Sequence, residues 1–273
     1  MPAASGESSA SAGCGLRGPP VIVDRSFRRG RTHDLSRMSR ADLLKAFFLD
    51  STVLTYVVMA AVGGGLAVRW AGTVWPPLVA VALTALLYPL AEYGLHRCVL
   101  HGRFLYKARL TASLWKRIHF DHHRDPYDLR VLFGALYTTV PTIALITVPV
   151  GWAVGGRAGA SAAFAAGSLI ISLYEFCHCV QHLRYAPKSR FLQRIKRHHL
   201  AHHFHNERGN YGITSVVWDR VFGTLYERTT GVPPSATVFN LGYTAIEAKR
   251  YPWVAELSAG ARRDGDPRRV GTE

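Results

Sequence analysis

Acidic residues are scarce in this chain. Its 273 residues hold 18 Asp and Glu against 33 Lys and Arg, a formal net charge of +15. Cysteine is scarcer still, with Cys14, Cys98, Cys177 and Cys179 only. They form no CxxC motif and no regular framework, which leaves no basis for a disulfide-stapled scaffold or a thiolate-rich zinc site. We read Cys177 and Cys179, which flank His178, as small apolar packing residues and expect no disulfide. Residues 1–20 are rich in Ala, Ser, Gly and Pro and lack the apolar stretch of a signal peptide, so they read as a disordered tail. No internal repeat is visible apart from one doubled histidine motif.

Charge is nearly missing from four stretches, at 47–68, 74–95, 131–154 and 159–180. Each is about 20 residues, enough for a helix to cross a hydrocarbon layer of roughly 30 Å. Basic residues orient them: 8 lie in residues 1–46, 8 in 96–130 and 15 from 183 onward, against only Arg69 and Arg157 in the other two connections. That asymmetry puts both termini and the middle loop on the cytoplasmic side. The expected fold is an all-α integral membrane protein of about four transmembrane helices, capped by a cytoplasmic helical, His-rich di-metal domain. A globular core of four buried helices is the alternative, kept open by Asp50, Glu92 and Glu175 near the ends of the runs. The expected divisions are a disordered basic tail at 1–40, a membrane domain at 41–230 and a cytoplasmic tail at 231–273. Because the positive charge faces an anionic leaflet, it needs no nucleic acid partner.

What the chain has in excess is clustered histidine. Ten of its thirteen histidines fall into four short groups: His96 with His101, His119 with His122 and His123, His178 with His182, and His199 with His202 and His203. At about 100° per residue, each HxxHH motif and the i,i+4 pair keep their rings on one helical stripe. His96 and His101 would splay by about 140°, which places His101 just past a helix end. Four crossings leave all four groups on one face of the bilayer. Imidazole is the commonest protein metal ligand, and ten exceed what one ion accepts, so the reading is a two-metal site.

Two ions offer about eight to twelve positions, so ten protein ligands leave one or two open, and an open position implies catalysis. Neutral ligands leave the cations' charge uncompensated, which suits an anionic oxygen species. Hydrolysis by two zinc ions makes the same demand on the ligands. A site beneath spanning helices, however, can take a long apolar chain directly from the bilayer, which favours O2-dependent oxidation of a lipid. Tyr127, Asn210 and Tyr211 are candidates for gripping a polar head, and Trp218 for lining an acyl entrance. A membrane metal-binding or transport protein and a non-catalytic zinc scaffold are the readings from other classes.

The segments HRCVLH at 96–101, HFDHH at 119–123, HCVQH at 178–182 and HHLAHH at 198–203, followed by GITSVVWDRVFGTL at 212–225, resemble the fatty acid hydroxylase and sterol desaturase superfamily, most closely its fatty acid 2-hydroxylases. The likeness covers roughly 90–228, with APKSRFL at 186–192. It implies an integral membrane di-iron oxygenase with those ten histidines as ligands, O2 as co-substrate and a lipid acyl chain hydroxylated at C2. It leaves His198 as an extra residue bracing the ligands and His205 outside the pattern. LYEFCH at 173–178 resembles a family stretch carrying Asp where this chain has Glu175, so Glu175 and Tyr174 are further candidates for contacting a ligating imidazole. Relatives of this type often carry a fused cytochrome b5 domain. Residues 1–46 have no room for one, so the resemblance implies a separate electron donor, a ferredoxin or cytochrome b5-like protein. Other lipids, among them a sterol, hopanoid or carotenoid, hydroxylated or desaturated by the same core, are the nearest alternative substrates. Zinc is expected to replace iron readily on purification.

Overall fold

The computed structural model of the chain describes residues 34–258. Residues 1–33 and 259–273, which hold much of the two expected tails, lie outside the described residues. What is described is helical, apart from an isolated β-bridge between Asp34 and Asp128.

Helix α1 (Arg40–Leu49) starts at a capping box: the Asp42 amide donates to the Ser39 hydroxyl, and the Asp42 carboxylate accepts from the Ser39 amide at 3.0 Å. Asp50 then caps α2 (Ser51–Trp70), accepting from the Thr52 amide at 2.8 Å. Asp50 thus ends one helix with its backbone amide, which donates to the Phe47 carbonyl, and opens the next with its carboxylate. Helix α3 (Trp75–Gly94) opens with prolines, which lose nothing in a first turn. It runs on into a π-helical turn, Leu95–Leu100. Short helices α4 (Arg109–Trp115), α5 (Asp121–Arg124) and α6 (Leu129–Leu132) fill the middle segment, with a second π-turn at Lys116–Phe120.

Helix α7 (Leu136–His182) is folded back on itself. Gly155 and Gly156 leave helical geometry, with Gly156 at φ +54°, a conformation side chains resist. Beyond them Gly159 packs on Gly151, and Gly167 lies against Ile143 and Thr147, so the two arms run antiparallel. Small residues line the seam: Gly63 of α2 lies against Ser161 and Ala165, and Ala80 of α3 lies near Gly159. Close backbone approach of this kind holds helices together where lipid removes the hydrophobic drive. Three helical stretches among the described residues, Ser51–Trp70, Trp75–Lys107 and Leu129–His182, are long and apolar enough to cross a membrane. Large apolar side chains including Val58, Val62, Leu86, Leu145 and Leu169 stand exposed on them, a belt too extensive for a protein surrounded by water.

The chain closes with α8 (Arg190–Phe204), α9 (Val217–Val221), α10 (Ala245–Arg250) and α11 (Trp253–Leu257). Two boundaries drawn from sequence change here. Residues 34–39 are packed: Leu35 and Met38 are buried with Leu43, Phe47 and Leu129. Residues 231–258 are no free tail, because Leu241, Tyr243 and Val254 are buried against Tyr106, Trp115 and Phe120. Apolar and aromatic residues in otherwise polar segments drive both, since each finds a core that the linear sequence does not reveal.

Candidate metal centre

The ten clustered histidines converge. They form two groups of five, His96, His101, His119, His123 and His202 in one, His122, His178, His182, His199 and His203 in the other. Within each group one nitrogen per ring lies within 4.8 Å of all the others. All are buried except His101, which is half-buried.

Local helix geometry explains the division. In each HxxHH motif the i,i+4 pair, His119 with His123 or His199 with His203, serves one group. The intervening residue, His122 or His202, is rotated off that line and serves the other. The groups therefore abut, with the His123 and His203 rings stacked at 4.1 Å. His101 does sit at a helix end, as its spacing required, but the end is π-helical: its amide donates to the His96 carbonyl at 3.1 Å. That i→i+5 bond turns a splayed pair into an aligned one, with ring centroids 4.9 Å apart.

Protons on these rings can be assigned from their partners. Nδ1 of His96 meets the Tyr211 carbonyl, Nδ1 of His123 the Val238 carbonyl at 2.9 Å, and Nδ1 of His202 the Gly209 carbonyl at 2.7 Å. A carbonyl only accepts, so each Nδ1 carries hydrogen and each Nε2 presents a bare lone pair. The Nε2 atoms of His123 and His202 nevertheless face each other at 3.2 Å. Two lone pairs at that distance in a dry interior repel unless a cation lies between them. In the second group, both ring nitrogens of His122 and His203 and the Nε2 of His178 are buried without a hydrogen-bond partner. Unpaired buried ring nitrogens on this scale, one per neutral ring a bare lone pair, are what a metal-binding donor set presents. The donors thus fit a pair of cations, five imidazoles to each, with room for a further ligand.

Burial holds these rings neutral. It pushes the His123 imidazole down to about 3, and it holds His119, His122, His199, His202 and His203 well below the ordinary value, helped by neighbouring imidazoles. In the unfolded chain the same groups titrate near about 6.5. The unfolded state therefore takes up protons first, and the stabilising contribution is complete above about 6.5 and lost as pH falls towards the folded values. Metal competes with protons for the same lone pairs, so ions leave in the same direction. We expect protein carrying two ions at pH 7.5 to lose them, and to melt earlier, on dialysis at pH 4.5; metal analysis showing both ions retained at pH 4.5 would contradict this.

Other residues singled out from sequence sit differently. The Glu175 carboxylate touches no imidazole through a hydrogen bond; Oε1 accepts from the Gly134 amide at 2.8 Å and from the Tyr56 hydroxyl at 3.3 Å. It ties Gly134, just before α7, and Tyr56 of α2 to the second arm of α7. Tyr174 packs its ring on His178 at 5.7 Å. His198 turns away from both groups, its Nε2 2.9 Å from a Glu227 carboxylate oxygen. His205 donates to the Val232 carbonyl at 2.7 Å and fastens the C-terminal segment.

Among the proposed head-group residues, Asn210 is fully occupied. It is buried in a left-handed conformation, φ 56°, and its amide exchanges hydrogen bonds with the Tyr226 backbone at 2.9 and 3.0 Å. Tyr127 stacks on Phe204 at 5.7 Å and packs against the α1 core. Trp218 stacks on Phe222 at 5.9 Å. Tyr211 alone stands over the first group, its ring 5.3 Å from His101, 5.6 Å from His202 and 5.7 Å from His96. Burial raises its phenol to about 12, so it remains a neutral hydrogen-bond donor. Sequence reasoning missed the backbone carbonyls of Gly209, Tyr211 and Val238, which carry no side-chain signature, and the buried carboxylates of Glu92 and Asp219. Cys98, Cys177 and Cys179 are free thiols outside both groups.

Known proteins resemble this arrangement. The Arabidopsis thaliana dihydroceramide fatty acyl 2-hydroxylase FAH2 is 32% identical over 183 residues, covering 63% of this chain and 69% of its own length. The Saccharomyces cerevisiae ceramide very long chain fatty acid hydroxylase SCS7 is 31% identical over 145 residues, 50% of this chain and 35% of its own length. The Homo sapiens fatty acid 2-hydroxylase is 30% identical over 152 residues, 52% of this chain and 38% of its own length. The chain thus spans little more than a third of the yeast and human relatives and about two thirds of the plant one. A solved structure of full-length Scs7p, with only the hydroxylase domain visible, superposes with a TM-score of 0.56 at 25% identity, covering 67% of this chain and 68% of that one. The sequence profile of the fatty acid hydroxylase family matches residues 81–224, a span holding all ten converging histidines, and the chain belongs to that family.

Proposed function

We propose that this protein is a membrane lipid hydroxylase that inserts one oxygen atom from O2 at C2 of an acyl chain, with its ten clustered imidazoles as ligands to two iron ions. The observation that carries this reading is the pair of adjoining five-imidazole groups, whose facing lone pairs at His123 and His202 call for a cation. Iron there supplies the O2 activation that breaking an unactivated C–H bond requires. One oxygen atom enters the C–H bond and the other leaves as water, with two electrons and two protons from outside the chain. A ferredoxin or cytochrome b5-like protein is the donor we propose.

The chain's own part is to position and to exclude water. The imidazoles stay neutral through burial, and Tyr211 offers a hydroxyl above the first group for the polar end of the substrate. Holding the reacting carbon within about 3–3.5 Å of the oxidant converts regiochemistry into geometry. We read the two arms of α7 as separate crossings, giving four spans with α2 and α3, and the basic connections as the cytoplasmic side where the histidines lie. Zinc fits the same imidazoles and is the ion expected when iron is lost during purification.

Membranes containing the protein, given a reductant, a ferredoxin-type donor and O2, are expected to accumulate 2-hydroxy acyl lipids, read by mass spectrometry. Oxidation at another carbon, or of a sterol, hopanoid or carotenoid, would assign the site a different substrate.

A further inference from the structure

Four consecutive backbone amides, those of Tyr211, Gly212, Ile213 and Thr214, are bound by two buried carboxylates. Asp219 accepts from the Tyr211 amide at 2.8 Å through one oxygen and from the Gly212 amide at 2.7 Å through the other. Glu92 Oε1 accepts from the Ile213 amide at 2.6 Å and the Thr214 amide at 2.9 Å, and its Oε2 takes the Thr214 hydroxyl. Asp219 is fully buried and Glu92 nearly so, and no Lys or Arg among the described residues pairs with either. Both carboxyl groups are therefore spent on peptide groups of one short strap.

The other side of that strap faces the histidines. The Tyr211 carbonyl accepts from His96 Nδ1, and the Ile213 carbonyl accepts at 2.7 Å from the side chain of Gln181, next to His182. Tyr211 C=O and Gly212 N–H belong to one peptide group. An anion on its N–H polarises that group, makes its oxygen a stronger acceptor, and so raises the electron density at the far nitrogen of the imidazole it holds. His202 lacks this backing: the peptide behind it, Gly209–Asn210, donates its N–H to the neutral Thr224 carbonyl at 3.0 Å. A carboxylate braced directly on a ligating histidine is a familiar device. Here it is placed one peptide group away.

We propose that Asp219 is a positioning residue for the first imidazole group, acting on His96 through the Tyr211–Gly212 peptide. This rests on the reading of His96 as a metal ligand. The test uses the full chain in detergent, loaded with Zn2+, challenged with increasing chelator and analysed for ions retained. The unsubstituted protein should hold two, and His96→Ala should release one of them early. Asp219→Asn, which puts an amide where two backbone N–H groups need acceptors, should make that same ion about 10- to 100-fold easier to strip while the second is held as before.

If both ions stay within twofold of the unsubstituted protein, or both are lost equally, the inference is overturned. Should His96→Ala keep both ions, the assignment of His96 as a ligand falls and the inference with it. Thr224→Val decides the matter if Asp219→Asn does not fold. It removes one hydroxyl, 2.7 Å away, from the Asp219 carboxylate and leaves the strap's amides in place. Affinity raised at the first group alone supports the relay; affinity unchanged or lowered there overturns it.

Discussion

Replacing His122 with alanine should cut lipid hydroxylation by more than about a hundredfold, beyond the 10- to 100-fold that residues behind a ligand typically cost. His202→Ala should do the same, although it belongs to the other group. Each would remove one of the five imidazoles proposed as donors in its group. Neither ring belongs to the two apolar core clusters, so both variants should still reach the membrane. Turnover in membranes, compared with metal content per chain, is the measurement. Unchanged turnover in either variant would remove that residue from the site.

Gly159→Val should be the most damaging substitution far from the histidines. A Cβ at Gly159 would penetrate the Gly151 carbonyl, and one at Gly151 would strike Gly159 and Ala163. Backbone does not yield as a flexible side chain does, so the two arms of α7 must separate, and α2, packed through Gly63 on Ala165, loses its seat. Overpacking of this type costs about 3 kcal/mol, a large share of a domain's net stability. Yield of folded protein and melting temperature in detergent should both fall sharply. Gly64→Val, where an added Cβ meets nothing, is the matched substitution expected to leave both unchanged.

The histidines were legible because their chemistry is side-chain chemistry and their spacing obeys one helical period. How they divide was less so. The separation of His122 from His119 and His123, and of His202 from its neighbours, needs two motif helices facing one another, and the alignment of His96 with His101 needs a π-turn that no propensity announces. The apolar runs located the helices to within a few residues, and the non-helical Gly155–Gly156 pair is where the last two runs part into two arms. Glu175 was a candidate through the resemblance of LYEFCH to a family stretch carrying Asp, whereas its hydrogen-bond partners, Gly134 and Tyr56, come from distant segments. Asn210 carried a polar group that suggested recognition, yet its amide is spent on the Tyr226 backbone, and the ring of Tyr127 packs half-buried against the α1 core.

The strap and the C-terminal segment were the least visible, because backbone oxygens do the holding. From sequence, residues 231–273 read as a cytoplasmic tail. The aromatic residues Tyr243, Tyr251 and Trp253 were the overlooked signal, since they close over Tyr106 and Trp115 behind His101 and His119.

That closure bears on where the polypeptide can be cut or fused. A version ending at residue 230 would keep every imidazole and still forfeit the Val238 oxygen that sets the tautomer of His123, along with the aromatic cover over Trp115. A version that keeps both accordingly runs to at least Val254, well past the last histidine.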